Sequence, residues 1–328
     1  MAVERVQLSL RTWGLAVGRL AGAVPTSLSA PTVGTSVDGV TNSRGLPEVP
    51  VGHRLLGSGM RGLLQAATVL VLLAGVQLFV FSERTAEWFA WTVNPPLTAA
   101  FLGAAYWASA AVEWTSSRAS WWADARIAVP SVFTFTALTL LVTVLHLDKF
   151  HLGSDFSGVT QAVTWAWIAI YAVVPVLMAV LWRRQARLPG GDPPRRYPLP
   201  RWLVALVAVV AAALLGMGIW LLVDPLAAGR LWPWELTPLT GRAVGAWLVG
   251  LGVSAAQTVV EADARRARPV AVGAIVLPVL AGVALVRYGS AVSWGSAGSV
   301  VLLGSLAVWS AIGVVLLLVE RRGGRLPP

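Results

Sequence analysis

The sequence predicts an all-α integral membrane protein of about eight transmembrane helices, arranged as two parallel four-helix repeats behind a disordered N-terminal tail. Three observations predict this fold. They are the composition, a series of long charge-free segments, and a set of matching residues that recur in the second half of the chain at a constant distance from those in the first. Of the 328 residues, 56% are apolar and 12% are charged, against about 25% charged in soluble domains. The 17 Trp residues agree, since Trp collects at bilayer interfaces. This composition excludes a cytosolic enzyme.

The chain contains no Cys, which excludes disulfides, thiolate metal sites and cysteine nucleophiles. A net charge of +10 would favour nucleic acid only if the basic residues were gathered on one soluble face. They lie between apolar segments instead, so we expect no nucleic-acid partner. All basic residues except Lys149 are Arg, which is typical of a GC-rich bacterial genome.

Residues 1–60 differ from the rest of the chain. Ser, Thr, Gly and Pro recur without a period over residues 25–51, as in a disordered or weakly ordered cytoplasmic tail. Arg11 and Arg19 interrupt the one stretch that could form the core of a signal peptide, so no cleavage is expected. A second interpretation stays open, in which translation starts at Met60, directly before the first apolar segment.

Eight charge-free segments follow, each of at least 18 residues. About 20 residues at 1.5 Å per residue cross a bilayer core of about 30 Å, so each segment predicts a transmembrane helix. The segments are 62–82, 88–112, 127–147, 156–182, 202–223, 243–260, 269–286 and 288–319. The predicted organisation is a tail (1–60), a first repeat (61–184), an Arg-, Pro- and Gly-rich linker that serves as a hinge (185–200), a second repeat (201–320) and a C-terminal tail (321–328).

Basic residues accumulate on one side of these segments, and the cytoplasmic side carries the excess in membrane proteins. With the N-terminus inside, sixteen basic residues face the cytoplasm and five the outside. The inner residues are Arg54, Arg61, Arg118, Arg126, Arg183, Arg184, Arg187, Arg195, Arg196, Arg201, Arg265, Arg266, Arg268, Arg321, Arg322 and Arg325. The outer residues are Arg84, Lys149, Arg230, Arg242 and Arg287. We therefore expect a protein of the cell (inner) membrane with both termini in the cytoplasm.

An internal repeat is found when the second half of the sequence is aligned with the first at an offset of 142 positions. The matches are Pro96-Leu97-Thr98 with Pro238-Leu239-Thr240, Gly103-Ala104 with Gly245-Ala246, Arg126 with Arg268, and Trp167 with Trp309. Because each half has four spans, both would enter the membrane from the same side. The halves should then be related by an axis along the membrane normal.

The two halves are most similar in the segments that directly precede the second and sixth spans. Asn94 or Thr237 is expected to cap a helix that begins with Pro95 or Pro238. The Trp residues before these caps predict an outer interfacial belt, with a binding groove for a lipid or protein as the alternative. These residues are Trp88, Trp91, Trp232 and Trp234. Residues 232–240, followed by 245–247, resemble segments of uncharacterised multi-pass membrane proteins of GC-rich bacteria, a resemblance that implies no activity.

Two groups of ionisable residues are candidates for chemistry. His146, Asp148 and His151 could ligate Zn²⁺ at the outer end of the third span, but their spacing matches no metalloprotease motif, which favours an ordinary polar loop. Glu113 is the deepest ionisable residue, at a span end where water or headgroups would solvate it; a functional role is the alternative. No metal or other cofactor is expected.

Small residues four apart predict close helix packing at the start of the second and sixth spans. They are Ala99 and Gly103 in one and Gly241 and Gly245 in the other. We expect these two faces to cross each other near the axis between the halves. The alternative is that each face packs within its own half, against the first or the fifth span.

No nucleotide-binding or hydrolase motif occurs in the sequence. The favoured interpretation is an integral accessory or structural component of the bacterial membrane, whose partners are the lipid bilayer and another membrane protein. A transporter or permease for a small neutral or lipid-like solute is the alternative, because parallel repeats are a common transporter architecture. A membrane-embedded enzyme comes third and would depend on Glu113 or on His146 and its neighbours.

Overall fold

The computed structural model describes residues 52–323, and this part of the chain is helical. It contains eight helices of 18 residues or more. They are α1 (Ser58–Gly75, continued by a π-helical turn, Val76–Val80), α2 (Pro96–Ser117), α3 (Ala128–Leu145), α4 (Gly158–Ala186), α5 (Arg201–Val223), α6 (Pro238–Glu261), α7 (Arg268–Arg287) and α8 (Ala297–Gly323). Short helical turns lie between them at Ser82–Arg84, Thr85–Trp88, Trp122–Ala125, Leu147–Lys149, Pro225–Gly229 and Gly289–Ala291.

Seven of these helices are long and apolar enough to cross a bilayer, so the chain is a multi-pass membrane protein. The exception among the described residues is α2, which has 22 residues but is rich in Ala, Ser and Thr and carries Glu113. Most α2 side chains are buried among other helices. Protein rather than lipid therefore surrounds much of α2, which lets it carry less apolar residues than a lipid-facing helix.

The helices pack in two kinds of pair. Neighbours in sequence form the first kind, in which α1 contacts α2, α3 contacts α4, α5 contacts α6, and α7 contacts α8. The second kind joins the first four helices to the last four, because α2 packs on α7 and α6 packs on α3. Helices α2, α3, α6 and α7 therefore form the main contact between the two groups of four helices.

Glycines allow the two helices of the α1–α2 pair, and those of the α5–α6 pair, to approach each other closely. A Cβ on Gly103 would lie 2.5 Å from the backbone nitrogen of Phe79, and one on Gly245 would lie 2.8 Å from the carbonyl oxygen of Gly218. A Cβ on Gly241 would similarly lie 3.0 Å from Pro225. The expectation that the small faces of α2 and α6 cross each other is thus wrong. Each glycine-bearing face packs within its own half, because the adjacent helix in sequence already occupies it.

Two other glycines let the halves approach each other. A Cβ on Gly273 of α7 would lie 2.6 Å from Val112 Cγ2 on α2. A Cβ on Gly250 of α6 would lie 3.2 Å from the Cβ of Phe135 on α3. The contact between halves therefore uses mainly α2 with α7 and α3 with α6, while α2 and α6 meet at the rings of Tyr106 and Trp247, whose centroids are 4.9 Å apart.

The two predicted helix starts have different outcomes. Thr237 caps α6 through a capping box with Thr240, and Pro238 occupies the first helical position, as predicted. In the first half, α2 begins at Pro96 and its cap residue is Pro95, so the prediction of Asn94 as cap is wrong. Pro95 has extended backbone and no side-chain acceptor, and α2 begins without a side-chain cap.

The predicted interfacial tryptophans are divided between surface and core. Trp88 is exposed and Trp232 half-buried, whereas Trp91 and Trp234 are buried in protein. The ring centroid of Trp91 lies 5.0 Å from that of Trp167, and the indole of Trp234 donates to Thr98 Oγ1 at 2.9 Å. Ring packing and this hydrogen bond hold both side chains inside the bundle.

The folded part begins before the predicted boundary at residue 61. Leu56 and Met60 are buried, and the backbone of Arg54 donates to Gly191 of the linker at 2.8 Å. The linker also contacts the helical part where the backbone of Tyr197 donates to Asp263 at 2.8 Å. The predicted disordered tail, as far as residue 51, lies outside the described residues.

Candidate functional site in the bundle interior

A cavity of about 50 Å³ lies between α2, α3, α6 and α7, the four helices through which the halves meet. Its wall is mostly apolar and includes Phe135 and Trp247. Three serines add hydroxyl groups, Ser109 from α2, Ser131 from α3 and Ser254 from α6. A concave, largely apolar space with a few polar groups is the usual form of a small-molecule site.

Glu113 lies one helical turn beyond Ser109 on α2. Its side chain is buried, with a residue exposure of 1%. Ser109 Oγ donates to Glu113 Oε1 at 3.0 Å, whereas Oε2 makes no hydrogen bond to protein. The sequence suggested solvation by water or headgroups, and the structure encloses this residue in protein instead. The span position alone did not reveal this, because burial of α2 depends on its neighbours.

A pair of tyrosines lies deeper in the same region and was missed by sequence reasoning. The hydroxyl groups of Tyr106 on α2 and Tyr171 on α4 are 2.6 Å apart, and both side chains are buried. Single tyrosines in apolar helices produce no periodic pattern, so the sequence offers no signal that would pair them. The two residues are 65 positions apart in sequence and meet only in the folded chain.

A second cavity of about 10 Å³ lies beside Tyr106. Trp91 and Thr139 line it, and neither Trp91 Nε1 nor Thr139 Oγ1 has a hydrogen-bond partner in the protein. A cavity of about 10 to 15 Å³ with polar walls is the minimum that holds one water molecule. The interior therefore contains polar groups at two levels, around Ser109 and around Thr139.

An ionic cluster joins the halves at the end of the bundle where α2 and α6 finish. Arg126 donates to both oxygens of Glu261, with an Nη2–Oε2 distance of 2.8 Å, and to Asp192 of the linker. Arg266 Nη1 donates to Glu261 Oε2 at 2.9 Å. The hydrogen bonds to Glu261 raise the pKa of Arg126 further above its usual range. Glu261 is 2% exposed, so two guanidinium groups compensate a buried carboxylate.

The structure does not bring the proposed zinc ligands together. His146 Nε2 accepts a hydrogen bond from Arg242 Nη1 at 2.9 Å, and burial and then Arg242 lower the pKa of His146. Asp148 pairs with Lys149 on the surface, where the hydrogen bond from Lys149 lowers the pKa of Asp148. Within residues 52–323, no group of three or more His, Cys, Asp or Glu side chains is arranged to hold a metal ion.

His151 is buried and fully hydrogen-bonded. Its Nδ1 donates to the carbonyl oxygen of Phe89 at 3.0 Å, which leaves Nε2 to accept from Thr92 Oγ1 at 3.0 Å. Burial lowers the pKa of His151. Both ring nitrogens are thus used in fixing the loop that joins α3 and α4.

Comparison with known proteins adds no assignment to this geometry. No protein-family model, no curated protein and no solved structure matches the chain.

Proposed function

We propose that this chain is a permease for small neutral solutes, whose path runs between two related halves of four helices each. The observation that carries the proposal is the serine-bearing cavity between α2, α3, α6 and α7, to which each half contributes two helices. Transporters built from repeats commonly bind their solute at the interface between the repeats. Serine hydroxyl groups suit a neutral solute that needs hydrogen bonds but no counter-charge.

The offset of 142 positions supports the relationship between the halves. It carries the start of α2 at Pro96 onto the start of α6 at Pro238, and the helical turn Leu147–Lys149 onto Gly289–Ala291. It also relates contacts between helices. Gly103 lies against Phe79 in the first half, and the residues at the corresponding positions of the second half, Gly245 and Leu221, lie against each other in the same way. We infer a duplicated four-helix unit with a pseudo-twofold axis along the membrane normal.

The pairs between halves follow the same relationship. The offset carries Ala108 onto Gly250 and Ser131 onto Gly273. A Cβ on Gly273 would lie 3.4 Å from the carbonyl oxygen of Ala108, and one on Gly250 would lie 3.6 Å from that of Ser131. Two equivalent contacts of this kind are expected around a twofold axis.

We further propose that α2 is an eighth span and that the ionic cluster around Arg126 lies in the cytoplasm. The excess of arginine at this end of the bundle supports the orientation. Arg126, Glu261 and Asp192 then hold the halves together on the cytoplasmic side. Opening a path to the cytoplasm requires these ion pairs to separate.

Solute flux into vesicles tests the proposal. Purified protein is reconstituted into liposomes, and glycerol and urea entry is followed by stopped-flow light scattering. We expect entry faster than in empty liposomes, and loss of the difference in a Ser254→Leu variant, which fills the cavity. Ser305→Leu is the matched control because Ser305 of α8 is exposed. Rates equal to empty liposomes, or an unaffected Ser254→Leu variant, would contradict a permease.

A second candidate function, an integral accessory component, is favoured by the size of the cavity. About 50 Å³ holds only a few water molecules. Aromatic rings fill the neighbouring interior, including Phe135 and Trp247 with centroids 3.9 Å apart. Absence of flux together with a membrane protein that co-purifies in stoichiometric amount after cross-linking would favour this candidate.

A further inference from the structure

We propose that Glu113 is a proton-binding site in the interior of the helix bundle and that H⁺ accompanies the solute through the bundle. This deepens the proposed function and rests on it for the role of the cavity as a path. The first observation is the contrast between two buried glutamates. Glu113 and Glu261 are 1% and 2% exposed, but only Glu261 has ion-pair partners.

The contacts of Glu113 suit a proton better than a metal ion. One hydroxyl group, that of Ser109, donates to Oε1, and Oε2 has no partner. A metal cation would require several ligands around it, and Glu113 belongs to no group of three or more His, Cys, Asp or Glu side chains among the described residues. A single carboxyl group in apolar surroundings can change its charge only by binding or releasing H⁺.

The side chains that face Glu113 contribute no fixed positive charge. The titratable side chains of the neighbouring interior, Tyr106 of α2 and Tyr171 of α4, are hydroxyl groups hydrogen-bonded to each other. The basic residue that α1 directs toward α2, Arg61, donates to the carbonyl oxygens of Ser117 and Ala119 instead. The arginines of α7, Arg268 and Arg287, lie at the ends of that helix. Within the part of the chain that the structure describes, Glu113 makes no ion pair.

We place the route of the proton along the hydroxyl groups that flank the carboxyl group on α2. Ser109 contacts Glu113 and also lines the cavity between the halves. In the other direction, the Oγ of Ser116 is buried without a partner, one turn nearer to the end of α2. Protonation converts the carboxylate to a neutral acid, and release returns the same H⁺ to water at the opposite side.

The site occurs in only one half of the chain. The offset of 142 positions places Ala255 at the position that corresponds to Glu113, and Leu248 at the position that corresponds to Tyr106. Both of these second-half residues are buried and apolar. A single carboxyl group per chain implies that one proton is bound per transport cycle.

Chemical labelling tests proton binding without any transport measurement. Dicyclohexylcarbodiimide enters lipid and reacts with protonated carboxyl groups, and peptide mass spectrometry identifies the labelled residue. In the reconstituted full chain we expect label at Glu113, decreasing as pH rises, and none at Glu261, which is ionised and paired. An unlabelled Glu113 at every pH, or equal label at Glu261, would overturn the proposal.

Proton flux tests the coupling. Vesicles loaded with the pH dye pyranine should acidify or alkalinise when a glycerol gradient is applied. Glu113→Gln should abolish this proton movement, and Glu87→Gln, a change at an exposed residue, should preserve it. Glycerol flux without proton flux would overturn the coupling. Labelled Glu113 without any glycerol flux would contradict the permease while retaining the proton site, so the two failures are distinguishable.

Discussion

Arg126 and Glu261 are joined by two hydrogen bonds although they lie 135 residues apart in sequence. Arg126 belongs to the connection between α2 and α3, and Glu261 is the last residue of α6. The pair therefore links the two halves of the bundle at one end. Arg266 donates to the same carboxylate, so loss of Glu261 would leave Arg266 without an ion-pair partner and Arg126 with Asp192 alone.

Replacement of Glu261 should therefore be strongly destabilising. Removing one member of a buried ion pair costs about 3 to 5 kcal/mol, because the remaining charge stays buried and unpaired. We expect Glu261→Gln to lower the midpoint of thermal unfolding in detergent, measured by circular dichroism. Asp148→Asn is the control, because the Asp148–Lys149 pair is exposed. Equal midpoints for the wild type and Glu261→Gln would show that the cluster does not hold the halves together.

The contact between His146 and Arg242 predicts a dependence of stability on pH. Burial and Arg242 lower the pKa of His146, with Lys149 acting in the same direction and Asp148 opposing it. The unfolded chain then binds a proton more readily than the folded chain, so stability is complete above the ordinary pKa of about 6.5 and declines as pH falls through the folded value.

Unfolding midpoints between pH 8 and pH 5 measure this effect. The midpoint should fall on acidification, and the decrease should be smaller in His146→Gln, which retains an acceptor for Arg242. The pKa of His151 is also lowered by burial, so His151→Gln should remove a separate part of the decrease. An unchanged pH profile in His146→Gln would refute the role assigned to its contact with Arg242.

The close approach of α1 and α2 predicts that Gly103 tolerates no side chain. Gly103→Ala places a methyl group against the backbone of Phe79, and overpacking of this kind costs about 1 to 3 kcal/mol. Gly216→Ala is the matched control, because a Cβ there meets nothing within 4 Å. It should leave the unfolding midpoint unchanged or raise it slightly, because Ala favours a helix more than Gly does. If both variants unfolded at the wild-type temperature, the packing of α1 on α2 would need revision.

Cross-linking examines which helices form the contact between the halves. The chain is free of Cys, so Val112→Cys with Gly273→Cys introduces one pair where α2 meets α7. A disulfide should form within single chains, detected by altered gel mobility under non-reducing conditions. Ala99→Cys with Gly241→Cys should not cross-link within a chain, because Gly241 faces Pro225 rather than α2. The opposite pattern would restore a crossing of α2 and α6.

Reporter fusions examine the orientation and the eighth span together. Fusions after Arg187 and Arg322 should report the cytoplasm, and fusions after Ser154 and Leu231 the outside, because Arg is concentrated in the first set of loops. If α2 did not cross the membrane, Ser154 would lie on the cytoplasmic side. A cytoplasmic signal from Ser154 would therefore contradict eight spans.

The sequence by itself determined the membrane class and the positions of the long helices, because hydropathy and helix length are local properties of the chain. Thr237 and Pro238 likewise predicted the start of α6 from neighbouring residues alone. Only the tertiary structure decided that Gly103 packs on Phe79 rather than on α6, and that Trp91 and Trp234 are buried. The same holds for Glu113 and Glu261, two similar residues near helix ends. One is unpaired and the other is held by two arginines, because charge compensation inside a bundle depends on residues that only packing brings together.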